Sequence, residues 1–118
     1  MKVLVCGDRY YEDHEYLFSK LDELHKASPI STLIHGGARG ADTLAGRWGE
    51  ERSLEVIEVR ADWAKYGRGA GHVRNKAMLD LDPSIVIGFH DSIETSKGTK
   101  NCLKQAASRS ISTLIYKR

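Results

Sequence analysis

Residues 32–53 read TLIHGGARGADTLAGRWGEERS. A short apolar run, Thr32 to His35, closes on Gly36 and Gly37. Gly40 and Asp42 follow, and then Leu44, Ala45 and Trp48 recur at helical spacing. A chain that leaves a strand and enters a helix within four or five residues needs unusual backbone angles, which glycine takes without steric cost. Bare backbone also lets a ligand approach closely. Free N–H groups at a helix start, with the helix dipole behind them, favour a phosphate. The turn is therefore expected to cradle an anion through Gly36, Gly37 and Gly40, with Arg39 adding charge. Asp42 is expected either to cap the helix or to accept hydrogen bonds from a sugar hydroxyl. The competing reading is a tight strand-to-helix turn with no ligand. The spacing is neither G-x-G-x-x-G nor the P-loop, which needs Lys-Ser or Lys-Thr after its last glycine, so the dinucleotide and ATPase readings lose support.

Outward from this unit the same alternation recurs. Upstream, KVLVCG (2–7) reads as a buried strand closed by glycine. A helix follows from Asp13, with Tyr16, Leu17, Leu21 and Leu24 on one face, and stops before Pro29. Downstream, LEVIEV (54–59) is a strand of β-branched residues alternating with acids, as at a sheet edge. Residues 60–75 read as a long irregular glycine-rich segment, and residues 74–82 as a helix ended by Pro83. SIVIGFH (84–90) is a fourth strand, 91–99 a loop, 100–109 a helix and 112–118 a last strand. Parallel strands need crossovers, and helices supply them. The expected fold is α/β: a Rossmann-like, open, mostly parallel sheet of about five strands with helices on both faces. Ligands bind such sheets at the C-terminal strand ends. Gly7, Gly36-Gly37, GRGAG (67–71) and SKGT (96–99) all fall there.

The bulk properties agree with one domain spanning 1–118. The chain has 118 residues, 41% apolar and 29% charged, with a formal net charge of +2. That balance suits an ordinary globular protein and does not by itself indicate nucleic acid. No run is long and apolar enough to span a bilayer, and the N-terminus lacks the features of a secretory signal. Cys6 and Cys102 have no metal-ligand or CxxC spacing, so free thiols in a reducing cytoplasm are expected, and no metal site.

Two further constellations carry chemistry. ADWAKYGRGAGHVRNKAM (61–78) gathers Asp62, Trp63, Lys65, Tyr66, Arg68, His72, Arg74, Asn75 and Lys76. Trp63 or Tyr66 could stack on a base, although Trp63 alone reads more readily as a lid over the core. Arg68, Arg74 or Lys76 could meet phosphate, an Arg through its fork; Arg74 and Asn75 are expected at a helix start beside two glycines, and Asn75 either reads a base edge or holds a backbone loop. In GFHDSIETSKGTKN (88–101), Ser96, Lys97, Gly98 and Thr99 form another small-residue turn, with Thr99 a fair helix cap. His90 and Asp91 either line the same crevice or begin a solvated loop.

GGARGADTLAGRWGEE, RADWAKYGRGAGHVRNKAM and IGFHDSIETSKGT together resemble the YspA-type branch of the SLOG superfamily, whose members share a Rossmann-like fold and include the LOG and DprA groups. The resemblance runs from CGDRYYED near the start to the last helix. It implies a small bacterial or phage protein with a pocket for a nucleotide or nucleotide-derived ligand. Carried over, the ligand loop is Gly36, Gly37, Arg39, Gly40 and Asp42. The second signature is Asp62, Trp63, Gly71, Arg74 and Asn75, and the last is Ser96, Lys97, Gly98 and Thr99. Gly7 and Arg9, after the first strand, join the expected contacts. The sequence departs from the family at His72, where many relatives have proline, and in the longer HDSIETSKGT after the fourth strand.

LOG enzymes cleave the bond between a base and ribose 5'-monophosphate, using an Arg and the Glu of P-G-G-x-G-T-x-x-E. Aligning Gly98-Thr99 with that G-T places Cys102 at the Glu position. A neutral thiol cannot stabilise a ribosyl cation or activate water as a carboxylate does. Arg74 and Glu94 are the candidate catalytic residues if the chain is an enzyme. The expected function is binding of a nucleotide-derived ligand, as a sensor or sequestering module. N-glycosidic cleavage comes second, and single-stranded nucleic-acid binding comes third, disfavoured by interspersed acids. The expected partner is a nucleotide or nucleotide-derived small molecule, with no fixed cofactor and no membrane; self-association into a homo-oligomer is compatible with the sequence.

Overall fold

The computed structural model describes residues 1–90 and 97–117. Five strands are present among them: β1 (Lys2–Gly7), β2 (Thr32–His35), β3 (Glu55–Glu58), β4 (Ile85–Phe89) and β5 (Ser112–Tyr116). They form one sheet in the order β3-β2-β1-β4-β5, and every pairing is parallel. The helices are α1 (His14–Ala27), α2 (Ala41–Glu51), α3 (Trp63–Tyr66), α4 (Ala70–Leu79) and α5 (Lys97–Ser108). This is the Rossmann-like α/β arrangement read from the alternation, with β3 at an edge as its acid-bearing pattern implied.

Alternation along β1 builds the two layers. Val3 and Val5 point to one face, with Leu17 and Leu21 of α1 and Ala45 and Trp48 of α2. Leu4 and Cys6 point to the other, with Met78 and Leu79 of α4 and Cys102 and Ala106 of α5. Strands buried on both faces read as continuous apolar runs, which is why β1 and β4 were legible. The α1–α2 layer is also tied by polar contacts. The Trp48 indole N–H donates to Asp22 Oδ1 at 2.9 Å, and Arg52 forks onto the same carboxylate through Nε at 2.6 Å and Nη2 at 2.9 Å.

Three local expectations are corrected. Residues 60–75 are not irregular: α3 is capped by the Asp62 side chain, which accepts from Lys65 N, a 3-10 turn covers Gly67–Gly69, and α4 begins at Ala70. Gly69 adopts near-helical angles, and burial of Ala70, Asn75, Met78 and Leu79 holds α4 together, so packing overrides the weak helix propensity of glycine. Arg74 and Asn75 therefore stand in the second turn of α4, not at a helix start. The last helix begins at Lys97 rather than Lys100, which puts Thr99 inside its first turn and removes the capping role.

Candidate functional site

The strand order reverses at β1: β2 lies on one side of it and β4 on the other. The connections leaving β1 and β4 must then diverge to opposite faces, opening a crevice at their C-terminal ends. A cavity of about 660 Å³ occupies that place, a size suited to a small organic ligand. The end of β1 and its loop contribute Cys6, Gly7, Asp8, Arg9 and Tyr10. The turn after β2 gives Ala38, α2 gives Asp42, α3 gives Trp63, and α4 gives Arg74, Asn75 and Met78. His90, after β4, and Lys97, Gly98 and Thr99 of α5 complete the wall.

Of the residues singled out from sequence, Gly7, Arg9, Asp42, Trp63, Arg74, Asn75, His90, Lys97, Gly98 and Thr99 line this cavity, and Gly36, Gly37, Arg39, Gly40, Asp62 and Gly71 do not. Ser96, Glu94 and Asp91 lie outside the described residues.

The glycine turn after β2 is built differently from an open cradle. Asp42 Oδ2 accepts from Gly36 N at 3.0 Å and Ala38 N at 3.4 Å, and Gly37 N donates to His35 Nδ1 at 3.0 Å. The N–H of Ala41, at the start of α2, donates to Asp8 O at 3.2 Å. The N–H groups of Gly36, Gly37, Ala38 and Ala41 are thus spent inside the protein. Gly40, at φ +77, is pressed against the Asp8–Arg9 backbone so closely that any Cβ would collide with it. The β1 loop plugs the N-terminus of α2. The helix start that does open on the cavity is that of α5, through Lys97, Gly98 and Thr99.

Arg74 carries the loop's geometry into the cavity. Its Nη1 donates to Gly36 O at 2.8 Å and its Nε to Asn75 Oδ1 at 3.0 Å. The guanidinium lies against Gly36, so a Cβ there would push the Arg74 and Asp42 side-chain ends aside. Asn75 Nδ2 donates to Gly98 O at 3.2 Å and to Asn101 Oδ1 at 3.1 Å, binding α4 to the first turn of α5. Of the two roles open to Asn75 from sequence, the structure shows it holding backbone. Asp42 is buried, and burial raises its pKa to about 6 against the opposing pull of Arg74 and of the Ala38 and Gly36 N–H groups. Its Oδ2 anchors the loop, and the residue also lines the cavity.

The rim is aromatic and cationic. Trp63 is 60% exposed, so it is no core lid; it leans toward Gly71 of α4 at the cavity edge. Tyr10 is also exposed, and the Arg9 guanidinium lies 5.1 Å from its ring centroid. On the floor, buried His90 has Nε2 4.0 Å from Asp8 Oδ2. The Cys6 thiol is pushed well up by its hydrogen bond with Cys102 and by burial, which makes it a poor nucleophile. Cys102 is fully buried in the apolar cluster beneath α5. Sequence reasoning missed Asp8, Tyr10, Cys6, Ala38 and Met78 as lining residues. The signal for the first two was their place in CGDRYY, immediately after the glycine that ends β1; Ala38 and Met78 left no such signal.

Among the described residues no group of three or more His, Cys, Asp or Glu is arranged to hold a metal ion, and no helix is long and apolar enough to cross a membrane.

Comparison with known proteins adds three findings. Residues 1–66 match the YspA, cpYpsA-related SLOG family. The chain is 34% identical over 121 aligned residues to the Gene 61 protein of Mycobacterium phage D29, covering 98% of this chain and 95% of that one. Its fold is similar to the X-ray structure of DNA processing protein A (DprA) from Streptococcus pneumoniae, with a TM-score of 0.77 over 97% of this chain at 17% identity. The chain spans about half of that DprA chain, 49% of its length.

Proposed function

This chain belongs to the YspA, cpYpsA-related SLOG family, and from that premise we propose that residues 1–118 form one unit binding a nucleotide or nucleotide-derived ligand in the crevice between β1 and β4. One observation carries the reading: the same cavity at the switch point brings together the cations Arg9, Arg74 and Lys97 and the exposed aromatics Trp63 and Tyr10. Phosphate takes the cationic wall and the start of α5, where a helix dipole favours negative charge. A base takes the aromatic rim, where Trp63 has its ring accessible for stacking. Arg74 keeps Nη2 for the ligand while Nη1 holds Gly36 and Nε holds Asn75, so ligand contact and loop geometry are coupled through one side chain. The role we propose is sensing or sequestering such a ligand in the cytoplasm.

The test is a thermal-shift screen of nucleosides, nucleotides, nucleotide sugars and cyclic nucleotides, with mass spectrometry of small molecules released from gently purified protein. A nucleotide that raises the melting temperature, with the rise reduced in Trp63→Ala, supports the reading. A flat response to every class sinks it.

A second reading, cleavage of a nucleotide N-glycosidic bond, is favoured by the carboxylates of Asp8 and Asp42 and the imidazole of His90 in the same wall. It ranks lower because the position aligned with the hydrolase Glu is the buried thiol of Cys102. Chromatography of base released from purine and pyrimidine monophosphates separates the two: no release is expected, and release lost in Arg74→Ala would promote the enzyme.

A further inference from the structure

Beside the main cavity lies a second groove of about 320 Å³ along the seam of α4 and α5, lined by His72, Lys97, Lys100, Asn101 and Lys104. Lys97 belongs to both walls. Resting on the ligand reading above, we propose that this groove receives the distal phosphates of a polyphosphorylated nucleotide whose nucleoside and first phosphate sit in the main cavity.

The spacing of the lysines builds the groove. Residues 97, 100 and 104 are separated by three and four positions, which sets them on one face of α5. They span about 10 Å of helix axis, a length suited to a short phosphate chain. Among the described residues none of the three meets a carboxylate in an ion pair, whereas Lys76 on α4 is held by Asp80 at 3.2 Å. The described lining of the groove likewise holds no carboxylate. Three like charges along two turns repel one another, an arrangement that an anion relieves.

The floor is fixed rather than loose. Gln105 Nε2 donates to Asn101 Oδ1 at 2.7 Å and to His72 O at 3.3 Å, and Asn101 Oδ1 also accepts from Asn75. The same Asn75 holds Gly98 at the mouth of the main cavity. One polar seam therefore sets the relative position of the two compartments. A nucleic-acid strand fits less well, because it needs a long basic track with successive stacking aromatics. This groove is short, and the one ring in its described lining is that of His72.

The experiment is calorimetry of adenosine 5'-mono-, di- and triphosphate, without added metal, on the wild type and on Lys100→Gln/Lys104→Gln. Both side chains are exposed, and neither lines the main cavity, so the fold and the monophosphate contacts are retained. Inorganic triphosphate against orthophosphate repeats the comparison without a base. Exposed ion pairs are individually worth a few-fold, so the triphosphate is expected to bind the wild type on the order of tenfold more tightly than the monophosphate. The gain should shrink at high salt, and the double variant should lose it while keeping its monophosphate affinity. Monophosphate binding with no gain for the triphosphate overturns the groove and leaves the cavity reading standing. A gain preserved in the variant also overturns the groove. No binding by any nucleotide removes both readings. A single-stranded oligonucleotide that binds through Lys100 and Lys104 and is not displaced by the triphosphate overturns the proposal in favour of nucleic acid.

Discussion

Asp42→Asn tests how the glycine turn is held. Asp42 is buried, and burial lifts its pKa from 3.8 to about 6 in the folded chain. In the unfolded chain it returns to the ordinary carboxylate range. Between those two values the folded chain binds more protons than the unfolded one, so stability falls as pH rises through the window from about pH 4 to about pH 6. Each pKa unit is worth about 1.4 kcal/mol, so moving from pH 4 to pH 7 should remove roughly 2–3 kcal/mol of stability attributable to this group. Asparagine keeps an oxygen for the Gly36 and Ala38 N–H groups but carries no charge to desolvate. Urea unfolding of both proteins at several pH values from 4 to 7 gives two profiles, and their difference isolates Asp42 from every other carboxylate. Measured against the variant, the wild type should stand best at pH 4 and lose ground steadily until the pH has passed about 6. Parallel profiles across the range would refute the raised pKa, and with it the account of Asp42 as a buried anchor of the turn.

Trp48→Ala should cost about 3–5 kcal/mol in urea unfolding, because a fully buried ring is lost and Asp22 loses its indole donor. Trp48→Phe should recover most of that loss. Gly37→Val places a β-branched residue at φ +75, against the side chains of Glu58 and Arg60 and outside the cavity wall. It should destabilise the fold by roughly 1–3 kcal/mol, seen by thermal melting, while the affinity of the surviving folded protein for a nucleotide is unchanged. Arg74→Ala should weaken a nucleoside monophosphate by about 1.5–3 kcal/mol more than its nucleoside, measured by calorimetry. Equal losses for the two would place the Arg74 guanidinium away from the phosphate.

The strands, their parallel arrangement and the edge position of β3 could be read from sequence because each follows from a local pattern. Apolar runs closed by glycine mark β1 and β2, and acids alternating with β-branched residues mark an edge. The position of the crevice could be read for the same reason, since alternation of strand and helix fixes where loops gather. The three motifs also identified the family. Which partners the described motif residues take was decided only by contacts distant in sequence. A glycine turn followed by a helix looks the same whether its N–H groups face a ligand or face Asp42. The answer depended on a carboxylate six residues beyond Gly36 folding back, and on Asp8, from another loop, taking the N–H of Ala41. Residues 60–75 misled for a related reason. Local propensity counts Gly67, Gly69 and Gly71 against a helix, whereas burial of Asn75, Met78 and Leu79 against the sheet and α5 outweighs it. Sequence thus determined the order of the elements and the end of the sheet where the crevice opens. Tertiary structure decided which donors are already spent, because hydrogen-bond satisfaction is settled between segments that meet only when the chain is folded.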